Sequence, residues 1–204
     1  MKHKSYELSQ FKALDDQAEG QFEAIVSVFG NVDSYGDRVV KGAFGGSLER
    51  WRQKGRPIPV VFSHQWDDLD AHIGQVLEAE EQDEGLYIRA QLEMDEPFAS
   101  RVYKKLKNGT LSEFSFAYDV LQSERVDGVN ELRELELFEV GPTLIGANRE
   151  TRLLAVKDAP VADSDSGSED EGATEDEAGS TSKSSGPHPS VIAARVAIEL
   201  ASDL

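Results

Sequence analysis

Apolar and polar residues follow two rhythms between Phe22 and Val156. In Leu86–Glu93, Leu86, Ile88, Ala90 and Leu92 alternate with Tyr87, Arg89, Gln91 and Glu93. That period of two predicts a half-buried strand. Ile73–Ala79 precedes it across the Glu80–Gly85 turn region, which predicts a hairpin. Phe22–Phe29 reads as a strand ended by Gly30-Asn31, and Ile58–Ser63 as a short apolar strand between Pro57 and a polar loop. Ser112–Leu121 and Leu132–Val140 are two more. Helical patterns interrupt them at Ala43–Lys54 and Glu96–Lys107. For the second, Asp95 is a candidate N-cap and Asn108-Gly109 a stop. Some six strands with two helices predict an α+β, mainly β domain, an antiparallel β-barrel flanked by helices.

The pattern fails after Lys157. From Asp158 to Pro187, nine acidic residues stand against one lysine, among Ser, Gly, Ala and Thr. A stretch with so little apolar surface to bury is expected to be disordered. Ile192, Val196 and Leu200 then recur at helical spacing, behind Pro189 and a possible Ser190 N-cap. This segment is either a docking peptide on a tether or a terminal helix without a partner. The predicted organisation is an N-terminal extension at 1–20, a folded domain at 21–157, an acidic linker at 158–189 and a short helix at 190–204.

Composition narrows the function classes. The apolar share is 39%, below the usual about 45–50%, as expected for an ordinary core diluted by a polar tail. The formal net charge is −18. Nucleic acid and anionic membrane surfaces need Lys and Arg, so neither is an expected partner. The absence of cysteine removes disulfides, thiolate nucleophiles and cysteine-based metal sites. No apolar run approaches the roughly 18 residues of a membrane span. Met1-Lys2-His3-Lys4 has no apolar segment behind it, so no signal peptide is expected. These features together predict a soluble protein of a cytoplasm.

Three positions carry candidate chemistry. Of four histidines, His3 and His188 lie outside the patterned region, which leaves His64 and His72 as candidate bases. His64 ends the apolar run Pro59–Ser63 and precedes the polar Gln65–Asp70. Its position fits either a structural imidazole or a base facing a cleft. His64, His72 and the Asp67–Asp70 loop also offer metal-type donors, though without a recognised ligand spacing, and no cofactor is expected. In Glu113–Asp119, alternation puts Phe114, Phe116 and Tyr118 on a core face and Ser115, Ala117 and Asp119 on the other. Ser115 there is either a nucleophile or a small residue making room. In Leu135–Val140, alternation places Glu139 with Leu135 and Leu137. A carboxylate on an apolar face needs a partner: a histidine, or Arg133, Arg149 or Arg152. The opposite alternation, with Phe138 and Val140 inward, is equally open.

Taken in order, several segments resemble the caudovirus prohead serine proteases. They are Phe29-Gly30-Asn31 to Lys41-Gly42-Ala43-Phe44, Pro59–His64, Ile73–Val76, Gly85–Ile88, Gly109–Tyr118, Leu137–Val140 and Gly146-Ala147-Asn148. The likeness runs over roughly Phe22 to Leu154. It implies a fold like that of herpesvirus maturation proteases, with the serine on a strand. The family's Ser-His motif falls on Ser63-His64, which implies His64 as general base. The Ser-x-Gly-aromatic motif falls on Ser115–Tyr118, which implies Ser115 as nucleophile, with Ser112 as a competing serine. Glu139 holds the place of the third catalytic group. Asn148-Arg149 follows the strand of that third group, and its backbone amides or the Arg149 side chain are the oxyanion-hole candidates. Ala117 departs from the family's usual Gly, and Gly141-Pro142 from a usual Ser-hydrophobic pair.

The resemblance implies a serine endopeptidase that cleaves the scaffolding segment of the major capsid protein, and itself, inside the immature prohead in the host cytoplasm. Self-association is a further implied interaction. The alternatives are a non-catalytic capsid assembly protein retaining the fold, and a metal-dependent hydrolase built on His64, His72 and Asp67–Asp70.

Overall fold

The computed structural model describes residues 19–157. The acidic linker, the terminal helix and nearly all of the predicted N-terminal extension lie outside the described residues. Eight strands form one sheet: β1 (Gln21–Val28), β2 (Asp37–Val39), β3 (Pro59–Val61), β4 (His72–Glu81), β5 (Gly85–Leu92), β6 (Glu113–Val126), β7 (Val129–Thr143) and β8 (Arg152–Val156). Helix α1 (Gly45–Lys54) connects β2 to β3, and α2 (Pro97–Lys107) connects β5 to β6. The strand order is β2-β7-β3-β4-β5-β1-β8, with β6 also paired to β7.

The expected antiparallel barrel requires two corrections. First, the sheet is mixed, because β2 and β3 both run parallel to β7. Along one edge, β7 pairs with β6 over its whole length. Its other edge is shared by β2 near Leu132 and β3 at Val140. Between them the ladder would lapse, and α1 with the turn that precedes it fills the interval. The Leu135 amide donates to Ala43 O at 2.9 Å, the Leu137 amide to Ser47 Oγ at 2.9 Å, and Trp51 Nε1 to Leu137 O at 2.8 Å. Buried backbone groups must find partners, and here a helix supplies them where a strand does not.

Second, the sheet is not closed into a barrel. Near β1 and β8, the outer edge of β6 meets side chains in place of a ladder. The Phe114 amide donates to Thr151 Oγ1 at 3.0 Å, and that hydroxyl lies 3.2 Å from Phe114 O. Phe114 stacks on Phe22 of β1 with centroids 5.7 Å apart. Closure by hydrogen bonds needs strands in register all round; aromatic packing and one threonine join these edges instead.

The element boundaries differ locally from the expectation. Glu96, not Asp95, caps α2, and no side chain caps that end. The predicted strand through Ser63 ends at Val61, and a 3₁₀ turn, Phe62–His64, follows. Strands β2 and β8 carry too few residues for a legible period. The core packs Phe22, Phe44, Ile73, Ile88, Tyr103, Leu106 and Phe114, all essentially without exposed surface.

Candidate active site

Register places two of the three candidate side chains. Across β6 and β7, Ser115 opposes Gly141 and Ala117 opposes Glu139. Directly opposed residues share a face of the sheet. Ser115 and Glu139 are therefore diagonal neighbours on one face, a separation of roughly 7–8 Å. Leu135, Leu137 and Glu139 are all buried, Glu139 to 3% exposure, and Phe138 is exposed. The ladder skips Phe138, so Leu137 and Leu135 oppose Tyr118 and Val120 on the core face, and Glu139 shares the face of Ser115 and Ala117, contrary to the alternation that groups it with Leu135 and Leu137. The register shift at Ala117 and Tyr118 of β6 thus interrupts strict alternation in β7, at Phe138. Phe114 is buried as expected, while Phe116 and Tyr118 are half-buried and pack on each other at 4.9 Å.

His64 bridges the diagonal. Its Nε2 lies 2.8 Å from Ser115 Oγ, and its Nδ1 lies 2.5 Å from Glu139 Oε1. A carboxylate only accepts, so Nδ1 carries the imidazole proton and donates it to Glu139. Nε2 is left to accept from the Ser115 hydroxyl. The second carboxylate oxygen, Oε2, is buried without a hydrogen-bond partner among the described residues. Positive charge on His64 is therefore the available compensation for Glu139.

The turn that delivers His64 is strained. Ser63 and His64 have φ of 50° and 58°, in the left-handed region. Such conformations cost about 1–3 kcal/mol each and persist only when surroundings impose them. Here the Gln65 amide donates to Phe62 O at 3.3 Å and the Trp66 amide to His64 O at 3.0 Å. Ser63 Oγ lies 3.1 Å from Thr143 Oγ1, and Phe62 meets Phe98 edge-on at 5.4 Å. Gly141 supplies the room. A Cβ at this position would stand 1.9 Å from Val61 O. The backbone that leads into the turn thus lies directly on β7 opposite Ser115, which only a residue without a side chain permits. Pro142 is tolerated beside it, because its neighbour Phe114 turns its amide and carbonyl toward Thr151 and away from β7.

The remaining candidates separate. His72 Nε2 donates to Trp66 O at 3.2 Å, and Asp68 Oδ1 accepts from the Asp70 amide, capping a turn. No group of three or more His, Asp or Glu among the described residues is arranged to hold a metal. Arg133 pairs with Glu124 and Glu131, and Arg152 with Glu84, so neither serves Glu139. Ser112 is exposed and precedes β6. Asn148 spends both amide hydrogens, on Asn31 Oδ1 at 2.9 Å and Val28 O at 3.4 Å. Its side chain therefore has no donor left for an oxyanion. Arg149 is exposed and stands outside the lining of the cavity beside Ser115.

That cavity has a volume of about 300 Å³, and its lining includes Ser115, His64, Phe116, Trp66 and Asn148. Sequence reasoning missed Ser63, Thr143 and Gly141 as supports of the site. A lone glycine between Val140 and Pro142 in a strand is the available signal for the last.

A serine, an imidazole and a buried carboxylate in series, opening on a cavity, form the constellation used by serine hydrolases across unrelated folds. The family model of the caudovirus prohead serine proteases matches residues 5–162, and the chain belongs to that family. It is 29% identical over 120 residues to the prohead protease of Enterobacteria phage HK97, covering 59% of this chain and 51% of that protein. The chain thus spans about half the length of this curated relative. Its fold is similar to that of the bacteriophage T4 capsid assembly protease, with a TM-score of 0.50 at 11% identity over 60% of this chain and 80% of that one. The KSHV protease, solved with a hexapeptide phosphonate inhibitor, matches with a TM-score of 0.39 at 11% identity, over 65% of this chain and 63% of that one.

Proposed function

We propose that this chain is a serine endopeptidase of phage head maturation. Its substrates would be the scaffolding segment of the major capsid protein and the protease itself, inside the immature prohead. The single observation that carries this reading is the unbroken hydrogen-bond series from Ser115 Oγ through His64 to Glu139.

In this mechanism Ser115 Oγ attacks a peptide carbonyl as His64 Nε2 takes the hydroxyl proton. The proton then passes to the leaving amine, and water hydrolyses the acyl-serine by the same route. General-base assistance of this kind contributes about 10²–10⁴-fold. Glu139 holds the imidazole in the tautomer that leaves Nε2 free to accept, and it stabilises the imidazolium that forms. Stabilisation of the oxyanion would fall to backbone amides near Asn148, since that side chain is engaged, or to Arg149 if its exposed side chain turns inward with substrate bound.

Co-expression with the capsid protein of the same phage tests the reading. Wild type is expected to shorten the capsid protein by a defined segment, and Ser115→Ala to leave its mass intact. Equal trimming by both would remove Ser115 from the mechanism. Assembled shells with no trimming by either would favour a non-catalytic assembly role.

Gly141→Ala is expected to lower kcat/KM about 10²-fold, because the intruding methyl displaces the turn that carries His64. Its cost in stability is expected to be at least about 1–3 kcal/mol, by thermal unfolding, because the clash is with the Val61 backbone. An active Gly141→Ala variant would show that the approach of Val61 to β7 does not position His64.

A further inference from the structure

Two loops meet in the wall of the cavity beside Ser115. One, 29–36, follows β1, and the other, 144–151, follows β7. Between them they contribute Asn31, Ala147 and Asn148 to the lining. The second loop is fastened to the strand that carries Ser115. The Gly146 amide donates to Glu113 Oε2 at 2.7 Å. Thr151 Oγ1, which receives the Phe114 amide, lies 3.0 Å from Asn148 O. Ala147 and Asn148 lie between these two fastenings, which are made to the two residues just before Ser115.

The first loop sets how this stretch is turned. Asn31 and Asn148 exchange amide bonds across 117 positions of sequence: Asn31 Nδ2 donates to Asn148 Oδ1 at 2.8 Å, and Asn148 Nδ2 donates to Asn31 Oδ1 at 2.9 Å. The Glu150 amide donates to the same Asn148 Oδ1 at 3.1 Å, and Val28 O accepts from Asn148 Nδ2 at 3.4 Å. All four contacts agree on which end of the Asn148 amide is oxygen. Beside this pair, the Ser34 amide donates to Ala147 O at 3.1 Å. In a trans peptide the C=O and the following N–H point in opposite directions. The Asn148 N–H is therefore aimed away from Ser34, and it has no acceptor among the described residues. An unpaired backbone N–H on a residue that lines such a cavity is a donor that a reacting group can use.

Resting on the reading of Ser115 as nucleophile, we infer that Asn31 is a positioning residue: its amide pair with Asn148 holds the Ala147–Asn148 peptide in the orientation that offers the Asn148 N–H to the oxyanion formed at Ser115. The pair seats Asn148 against the 29–36 loop and so keeps Ser34 within reach of Ala147 O. Without the pair, the loops at this point would be joined through Ser34, an exposed residue, and the peptide could turn its carbonyl toward the cavity. A carbonyl there would oppose the developing negative charge. Asn31 does not touch the reacting atoms and acts through Asn148.

The test is kinetic, on the full chain, with a peptide spanning the cut that the capsid protein receives on co-expression. Asn31→Ala and Asn148→Ala each remove the pair and leave the Asn148 N–H in place. Each is expected to lower kcat about 30-fold with KM within about twofold, less than the about 10²–10³-fold that follows outright removal of an oxyanion donor. The double variant is expected to lose no more than the larger single loss, because both substitutions break one pair. The pH dependence of kcat/KM is expected to keep its midpoint, since His64 and Glu139 are untouched. The rate at which a phosphonate modifies Ser115 is expected to fall in step with kcat. Should alanine at position 31 prevent folding, the isosteric Asn31→Asp keeps the acceptor for Asn148 Nδ2, loses the donated bond, and is expected to lower kcat about 10-fold. A kcat that Asn31→Ala or Asn31→Asp leaves within about twofold of wild type, additive losses in the double variant, or a loss confined to KM would overturn the inference and leave the protease reading standing. No cleavage by wild type, with Ser115 also unreactive toward the phosphonate, would remove the protease reading and this inference with it.

Discussion

Alanine in place of either Ser115 or His64 is expected to reduce the rate of peptide cleavage by about 10⁶, and the double variant is expected to lose no more than either single one. The reason is geometric. Ser115 Oγ and His64 Nε2 are 2.8 Å apart and share one proton. Neither group does its part without the other, so their losses do not add. A continuous assay on a peptide spanning the capsid cleavage point would read these losses. Additive losses would mean that the two residues act independently and that the 2.8 Å contact is structural.

Glu139→Gln separates catalysis from stability. Activity is expected to fall by about 10⁴, the scale seen when a triad carboxylate becomes an amide. The amide nitrogen of glutamine can donate to Nδ1, which moves the imidazole proton to Nε2 and closes the acceptor that Ser115 needs. Stability is expected to stay level or rise. Glu139 is 3% exposed and one of its oxygens has no partner, so the carboxylate is costly to bury beside a neutral imidazole. Thermal unfolding of wild type and variant above neutral pH would measure this. A variant both active and markedly unstable would mark Glu139 as a structural ion-pair member. Paired activity and stability data therefore decide its role.

Much of this architecture is legible in the sequence, and the failures have local causes. The β4–β5 hairpin is visible because Leu86–Leu92 alternates cleanly, and its inward residues are buried. The side of β7 that carries Glu139 is ambiguous in sequence, since Val140 is buried as well as Leu137. Only the pairing of Ala117 with Glu139 settles it. The mixed sheet is illegible because β2 has three residues and β3 is cut short by the turn at Phe62. The close approach at Gly141 depends on Val61, 80 positions earlier in the chain, which no local pattern encodes. Ser63-His64 stands out in the sequence as a motif, whereas its left-handed backbone is imposed by tertiary contacts with Thr143 and Phe98.

The central claim is that His64 and Glu139 make Ser115 a nucleophile. Reaction of the purified chain with a phosphonate that modifies activated serines, followed by peptide mass mapping, tests it most directly. The account predicts one adduct, on Ser115, that forms in wild type and fails to form in His64→Ala. An adduct on Ser112 or elsewhere, or equal labelling of Ser115 without His64, would contradict it.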